Sequence, residues 1–137
     1  MRKIDIILDF DGTCVTHSFP NVGEDIGAIP VLKEIVNKGH NLILFTMRPS
    51  GQKSYHRYGV DTLQDAVDWF KDNNIKLYGT QTNPSQSNWT NSPKAHGQLI
   101  IDDTSLNIPL IYDLKISNRP FVDWVEIEKL LIKDGLI

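Results

Sequence analysis

Two apolar runs separated by a helical stripe constrain this chain most. The first, from Lys3 to Asp9, holds Ile4, Ile6, Ile7 and Leu8, and the second, from Asn41 to Thr46, reads Asn-Leu-Ile-Leu-Phe-Thr. Runs with so little polar alternation suit strands covered on both faces. Between them Ile29, Val31, Leu32, Ile35 and Val36 recur at helical spacing. Pro30 fits the first turn of that helix, and Lys38-Gly39 ends it. A strand, a helix and a second strand in this order make a βαβ unit, from which parallel pairing follows.

The pattern continues. Thr62 and Asp65 form a candidate capping box for a helix with Leu63, Ala66, Val67 and Phe70 on one side. Ile75 to Tyr78 reads as a third strand, Gln98 to Ile101 as a fourth and Leu110 to Tyr112 as a short fifth. Asp123 and Glu126 suit the start of a last helix bearing Trp124, Ile127, Leu130 and Leu131. The expectation is one α/β domain over residues 1–137, with a doubly wound, Rossmann-like parallel sheet of about five strands and helices on both faces. Two segments lack periodicity: residues 12–27, which read as a flap, and the polar stretch 79–93, which reads as an active-site loop. The second is long for a compact α/β protein, so it is either functional or mobile. The segment from Ser50 to Gly59 carries Lys53, His56 and Arg57 without helical phase and reads as solvated surface.

Composition narrows the function classes. The chain has 137 residues, 40% apolar and 23% charged, within the globular range. Its formal net charge is -3 and no basic run exceeds two residues, which disfavours a broad nucleic-acid face. No apolar run is long enough for a membrane span, and the amino terminus lacks signal-peptide character. A cytoplasmic protein without membrane partners is expected, and a homo-oligomer is left open. Cys14 is the single cysteine, so no intrachain disulfide forms, and it reads as a bystander. His40 and His96 have no ligand partners fixed by sequence.

The chemistry gathers at strand ends. The first strand runs into Asp9-Phe10-Asp11-Gly12-Thr13, the second ends at Thr46, and the fourth ends at Asp102-Asp103. In an open α/β sheet these positions share the crevice beyond the carboxyl edge. Each aspartate alone is unremarkable, since strand-end carboxylates often cap the next helix. Four together repel unless a cation offsets them, and hard oxygen donors suit Mg²⁺ better than Zn²⁺.

Asp9-Phe10-Asp11-Gly12-Thr13, then Thr46, Lys94 and Asp102-Asp103, in that order, resemble the four motifs of the haloacid dehalogenase (HAD) superfamily of phosphohydrolases. The match spans Ile4 to Asp103. The resemblance implies a Mg²⁺-dependent phosphomonoester hydrolase working through an aspartyl-phosphate. In it Asp9 is the nucleophile and Asp11 the general acid and base. Thr46 bonds a phosphoryl oxygen, and Lys94 orients Asp9 and balances charge. The metal is held by Asp9, the Asp11 carbonyl and Asp102, with Asp103 as a ligand or supporting partner. Gly12, Thr13, Met47 and Arg48 flank this centre as candidate substrate contacts, and Trp89 offers a ring that closes over a ligand or pins its loop. Neither insertion site is long enough for a folded cap, so the chain is similar to small capless members. A nucleotide or other small phosphorylated metabolite is the expected substrate. The alternatives are a polynucleotide end or other macromolecule, or a phosphate-binding regulatory module with little turnover.

Overall fold

The computed structural model describes residues 2–137. Four strands, β1 (Asp5–Leu8), β2 (Asn41–Leu44), β3 (Gly79–Thr80) and β4 (Leu99–Ile101), form a parallel sheet in the order β3-β2-β1-β4. Helices α1 (Ala28–Asn37), α2 (Gly51–Tyr58) and α3 (Thr62–Asp72) lie between the strands in sequence, and α4 (Trp124–Lys133) follows them. A separate antiparallel pair, β5 (Leu110–Ile111) and β6 (Phe121–Val122), leads into α4. No helix among the described residues is long and apolar enough to cross a membrane.

The α/β class agrees with the sequence, but the sheet is smaller than expected. Leu110 and Ile111 do not extend it: they pair with Val122 and Phe121 outside it. The third strand also begins later. The backbone N–H of Ile75 is spent closing the end of α3 on the Phe70 carbonyl at 2.9 Å, with Asn74 in the left-handed region at φ 57°. The chain therefore reaches β2 only at Tyr78, whose N–H donates to the Leu42 carbonyl.

Helices do not cover both faces. On a strand, alternate side chains share a face. Ile6 and Leu8 of β1 and Leu42 and Leu44 of β2 join one cluster with Leu32 and Ile35 of α1, Ala66 and Phe70 of α3, and Trp124 and Ile127 of α4. The other face offers Ile7 and Ile43, whose buried partner is Ala95 from the crossover between β3 and β4. That crossover, residues 81–98, takes the place of a helix. Gly97 allows its close approach, since a Cβ there would stand 2.7 Å from Ile7 Cγ1.

Two buried amides hold the crossover. Asn83 donates to Asp5 Oδ2 at 2.9 Å and to the His96 carbonyl at 2.8 Å. Gln86 donates to the Ser92 and Lys94 carbonyls and accepts from the His96 N–H. Polar composition marks this stretch as a loop, and these two side chains satisfy part of its backbone from within.

α2 escapes a periodicity reading because only Ser54 of its residues is buried. It is held from outside. Asp61 caps it through the Gly51 N–H and caps α3 through the Gln64 N–H, at 3.0 and 2.9 Å. These bonds lower the Asp61 carboxyl below the ordinary aspartate range. The cap of α3 is thus Asp61 and not Thr62, whose hydroxyl bonds the Pro49 carbonyl. Asp123 caps α4 as its sequence suggests, accepting from Val125 and Glu126.

Candidate active site

The sheet brings the ends of β1 and β4 side by side. Asp9 continues the pairing, its N–H donating to the Ile101 carbonyl at 3.0 Å. Asp102 and Asp103 follow β4 directly, so one carboxylate oxygen from each of Asp9, Asp102 and Asp103 lies within 4.8 Å of the others. Burial drives the Asp9 carboxyl upward from the ordinary aspartate value to about 8, and the Asp102 carboxylate adds to the rise. The Thr13 hydroxyl opposes it with a hydrogen bond to Asp9 Oδ2 at 2.8 Å.

Thr13 is a fully buried tie rather than an exposed contact. Its hydroxyl donates to Asp9 and accepts from the Asp103 N–H at 3.0 Å, which joins the two strand ends. Its carbonyl accepts from the Trp124 indole at 2.7 Å, which anchors the same turn to α4. Gly12 has φ 79°, and a Cβ there would stand 2.0 Å from His17 Nε2. Its N–H donates to the Val15 carbonyl at 2.8 Å, so as a candidate substrate contact it has no free N–H to offer. His17 closes over this turn with Nε2 3.0 Å from Asp103 Oδ2. Cys14 is buried beneath the turn, and burial pushes its thiol well above the usual range, so it is no thiolate.

Asp11 stands apart from the trio. Arg48 holds it through Nε to Oδ2 at 2.9 Å and Nη2 to Oδ1 at 2.7 Å. The remaining guanidinium donors go to the carbonyls of Pro20 (3.3 Å), Asn21 (2.7 Å) and Thr62 (2.9 Å). Arg48 has five N–H donors, and all five are used. It therefore has none left for a substrate anion, contrary to its sequence reading. It fastens the 12–27 segment to the end of β2 and the start of α3. The segment is built in rather than free to flap.

Thr46 stands at the end of β2, as expected. Gln81, just after β3, brackets its backbone by accepting from the Thr46 N–H at 2.8 Å and donating to the Thr46 carbonyl at 2.7 Å. The Thr46 hydroxyl accepts from the Arg48 N–H at 3.2 Å. Met47 is 97% exposed at this edge.

Lys94 is placed differently from the sequence reading, and Trp89 packs within its own crossover. Lys94 is exposed, and among the described residues it forms no ion pair with Asp9 or any other carboxylate. Its carbonyl belongs to the Gln86 knot, and it precedes a strand that rises toward Asp102. Trp89 packs edge-on against His96, ring centroids 5.4 Å apart. His96 precedes β4, at the end of the sheet opposite Asp9. Both residues serve the crossover.

Sequence reasoning missed the parts of His17, Gln81, Trp124 and Asp61. None lies in a motif, and each acts through a backbone group or a carboxylate brought near by folding alone. Only Gly59, whose φ of 77° ends α2, left a local trace of that helix.

No protein-family model and no curated protein sequence matches the chain. Among solved structures, it is similar to a conserved protein from Bacteroides thetaiotaomicron. The two share 27% sequence identity with a TM-score of 0.72, over 98% of this chain and 93% of the other.

Proposed function

We propose that the chain is a Mg²⁺-dependent phosphomonoester hydrolase of the haloacid dehalogenase type, with Asp9 as nucleophile and a small phosphorylated molecule as substrate. One observation carries this reading: Asp9, Asp102 and Asp103 converge within 4.8 Å at two neighbouring strand ends. Three carboxylates that close, with Asp9 driven toward its neutral form, are a site lacking its counter-charge. Hard oxygen donors fit Mg²⁺, held by Asp9, Asp102 and the Asp11 carbonyl, with Asp103 steadied by His17 and Thr13. When bound, the ion neutralises the carboxylates and the phosphoryl oxygens.

The residues of the chain supply the rest. Thr13 fixes the Asp9 carboxylate through one oxygen and leaves the other for attack on phosphorus. The bond from Asp9 oxygen to phosphorus forms as the ester oxygen departs, and water later cleaves the aspartyl-phosphate. Thr46 offers its hydroxyl proton to a phosphoryl oxygen at the edge of the crevice. Asp11 keeps outer lone pairs on both oxygens despite the Arg48 fork, so it can still move a proton to the leaving oxygen or from water.

A second reading is favoured by two specific features. Lys94 does not face Asp9, and Asp11 is gripped on both oxygens. A phosphate-binding module with slow turnover would tolerate both. Steady-state assays of phosphate esters with Mg²⁺, alongside trapping of Asp9 by beryllium fluoride, separate the two. Turnover abolished by Asp9→Asn supports the hydrolase. A trapped adduct without turnover supports the module, and neither adduct nor turnover refutes both.

A further inference from the structure

Beside Asp11 the surface opens into a cavity of about 380 Å³ lined by Asp11, Phe19, Met47, Arg48, Pro49 and Tyr58. That volume falls within the range of about 300–1,000 Å³ usual for small-molecule sites. We propose that this cavity is the leaving-group subsite and that it takes a planar aromatic or heteroaromatic ring. The proposal rests on the phosphomonoesterase reading and names the class of substrate that the reading leaves open.

Position comes first. Asp9 and Asp11 are two residues apart, so their α-carbons lie at most about 7 Å from each other. A phosphoryl group at Asp9 therefore places its ester substituent within reach of the cavity that Asp11 borders.

The lining then selects the substituent. Phe19 and Tyr58 meet edge to face with centroids 5.0 Å apart, and the Arg48 guanidinium lies 5.3 Å from the Phe19 ring and 5.0 Å from the Phe10 ring. The aromatic wall is thus held in place before any ligand arrives, which limits the ordering cost of binding. Arg48 has no spare donor, because Asp11 and three carbonyls use all five. A sugar or polyol would lose water from several hydroxyls and find little beyond Asp11 and the Tyr58 hydroxyl to bond. A ring loses far less, and it gains contact with Phe19, Tyr58 and the Met47 thioether. The wall is built from two pieces that do not belong to the sheet: α2 brings Tyr58, and the 12–27 segment brings Phe19. These act as a fixed partial cover over the leaving-group side.

Met47 makes the test direct, because the chain has only two methionines and Met47→Leu assigns its signal. The wild-type protein, labelled with ¹³C-methyl methionine and supplied with Mg²⁺, is titrated with phenylphosphonate and with methylphosphonate, neither of which it can hydrolyse. Phenylphosphonate is expected to bind about tenfold more tightly, through the apolar area it buries, and to move the Met47 methyl by ring current. Tyr58→Ala is expected to remove most of that difference. Equal affinities with an unmoved Met47 methyl overturn the subsite. A moved Met47 methyl in a protein that hydrolyses no ester and traps no fluoride adduct keeps the subsite and refutes the hydrolase reading.

Discussion

The Arg48 guanidinium grips both carboxylate oxygens of Asp11, at 2.9 and 2.7 Å, while its side chain is almost wholly buried. This pair joins the first motif to the turn after β2 and makes a specific prediction. Arg48→Met leaves a carboxylate and three carbonyls without their donor, and breaking a buried pair from one side costs about 3–5 kcal/mol. Arg48→Lys recovers only part of that loss, since an ammonium cannot reproduce the fork. Urea unfolding of the metal-free protein measures both. A substrate-binding arginine would instead alter KM and leave the unfolding midpoint unchanged.

Asp9 is expected to destabilise the metal-free fold at neutral pH. Its folded-state value of about 8 lies above the ordinary 3.8, so the fold holds a proton that the unfolded chain releases. Stability from this group is therefore greatest below pH 4, falls as pH rises, and levels off above about pH 8. Asp9→Asn removes this slope and raises the metal-free Tm by a few degrees at pH 8, for a gain of about 1 kcal/mol or more. Thermal melts across pH 5–9 show it, and a variant less stable than wild type at pH 8 counts against the repulsion.

Metal affinity follows with the opposite sign. Binding must displace the proton on Asp9, so Mg²⁺ affinity climbs through the window below pH 8, by up to tenfold per unit, and then flattens. Calorimetric titrations in buffers of different ionisation enthalpy count the proton released. Zero release at pH 6 contradicts the assignment of Asp9 as a ligand.

Thr13→Val keeps the shape of the side chain and removes the hydroxyl that links Asp9 to the Asp103 N–H. An unsatisfied buried N–H and a loosened carboxylate are expected to cost about 1–3 kcal/mol. The diagnostic readout is Mg²⁺ affinity relative to stability. Weaker metal binding after correction for the unfolded fraction identifies Thr13 as a positioning residue, whereas loss of stability alone makes it only a strut.

How much of this could be read from the chain depends on whether a residue acts locally. The strand ends bearing Asp9, Thr46 and Asp102-Asp103 follow from the apolar runs that precede them, and Asp123 follows from the helix it caps. Arg48 illustrates the limit. Its partners lie 37 residues back at Asp11 and 14 residues ahead at Thr62, and no local pattern specifies either. The 81–98 crossover misleads for another reason. Asn83 and Gln86 look like solvated loop residues until their amides are seen to bond the Asp5 carboxylate and backbone groups of the crossover itself. α2 lacks an apolar stripe because hydroxyl and carboxylate bonds from Ser54 and Asp61 secure it.

That crossover also bears on when the carboxylate centre comes into being during folding. β1, α1 and β2 are neighbours along the chain, and β1 meets β2 across 36 residues, from Ile6 to Leu42. β4 joins β1 across some 93 residues, from Ile6 to Leu99, through the 81–98 segment, whose Asn83 amide bonds Asp5 and whose Ala95 meets Ile7. Asp102 and Asp103 are therefore expected to meet Asp9 last. A chain that has not finished folding carries no assembled trio and has little hold on a divalent ion. Amide hydrogens in 81–98 are expected to exchange first in the metal-free protein, and Mg²⁺ to slow them although none of these residues is assigned as a ligand.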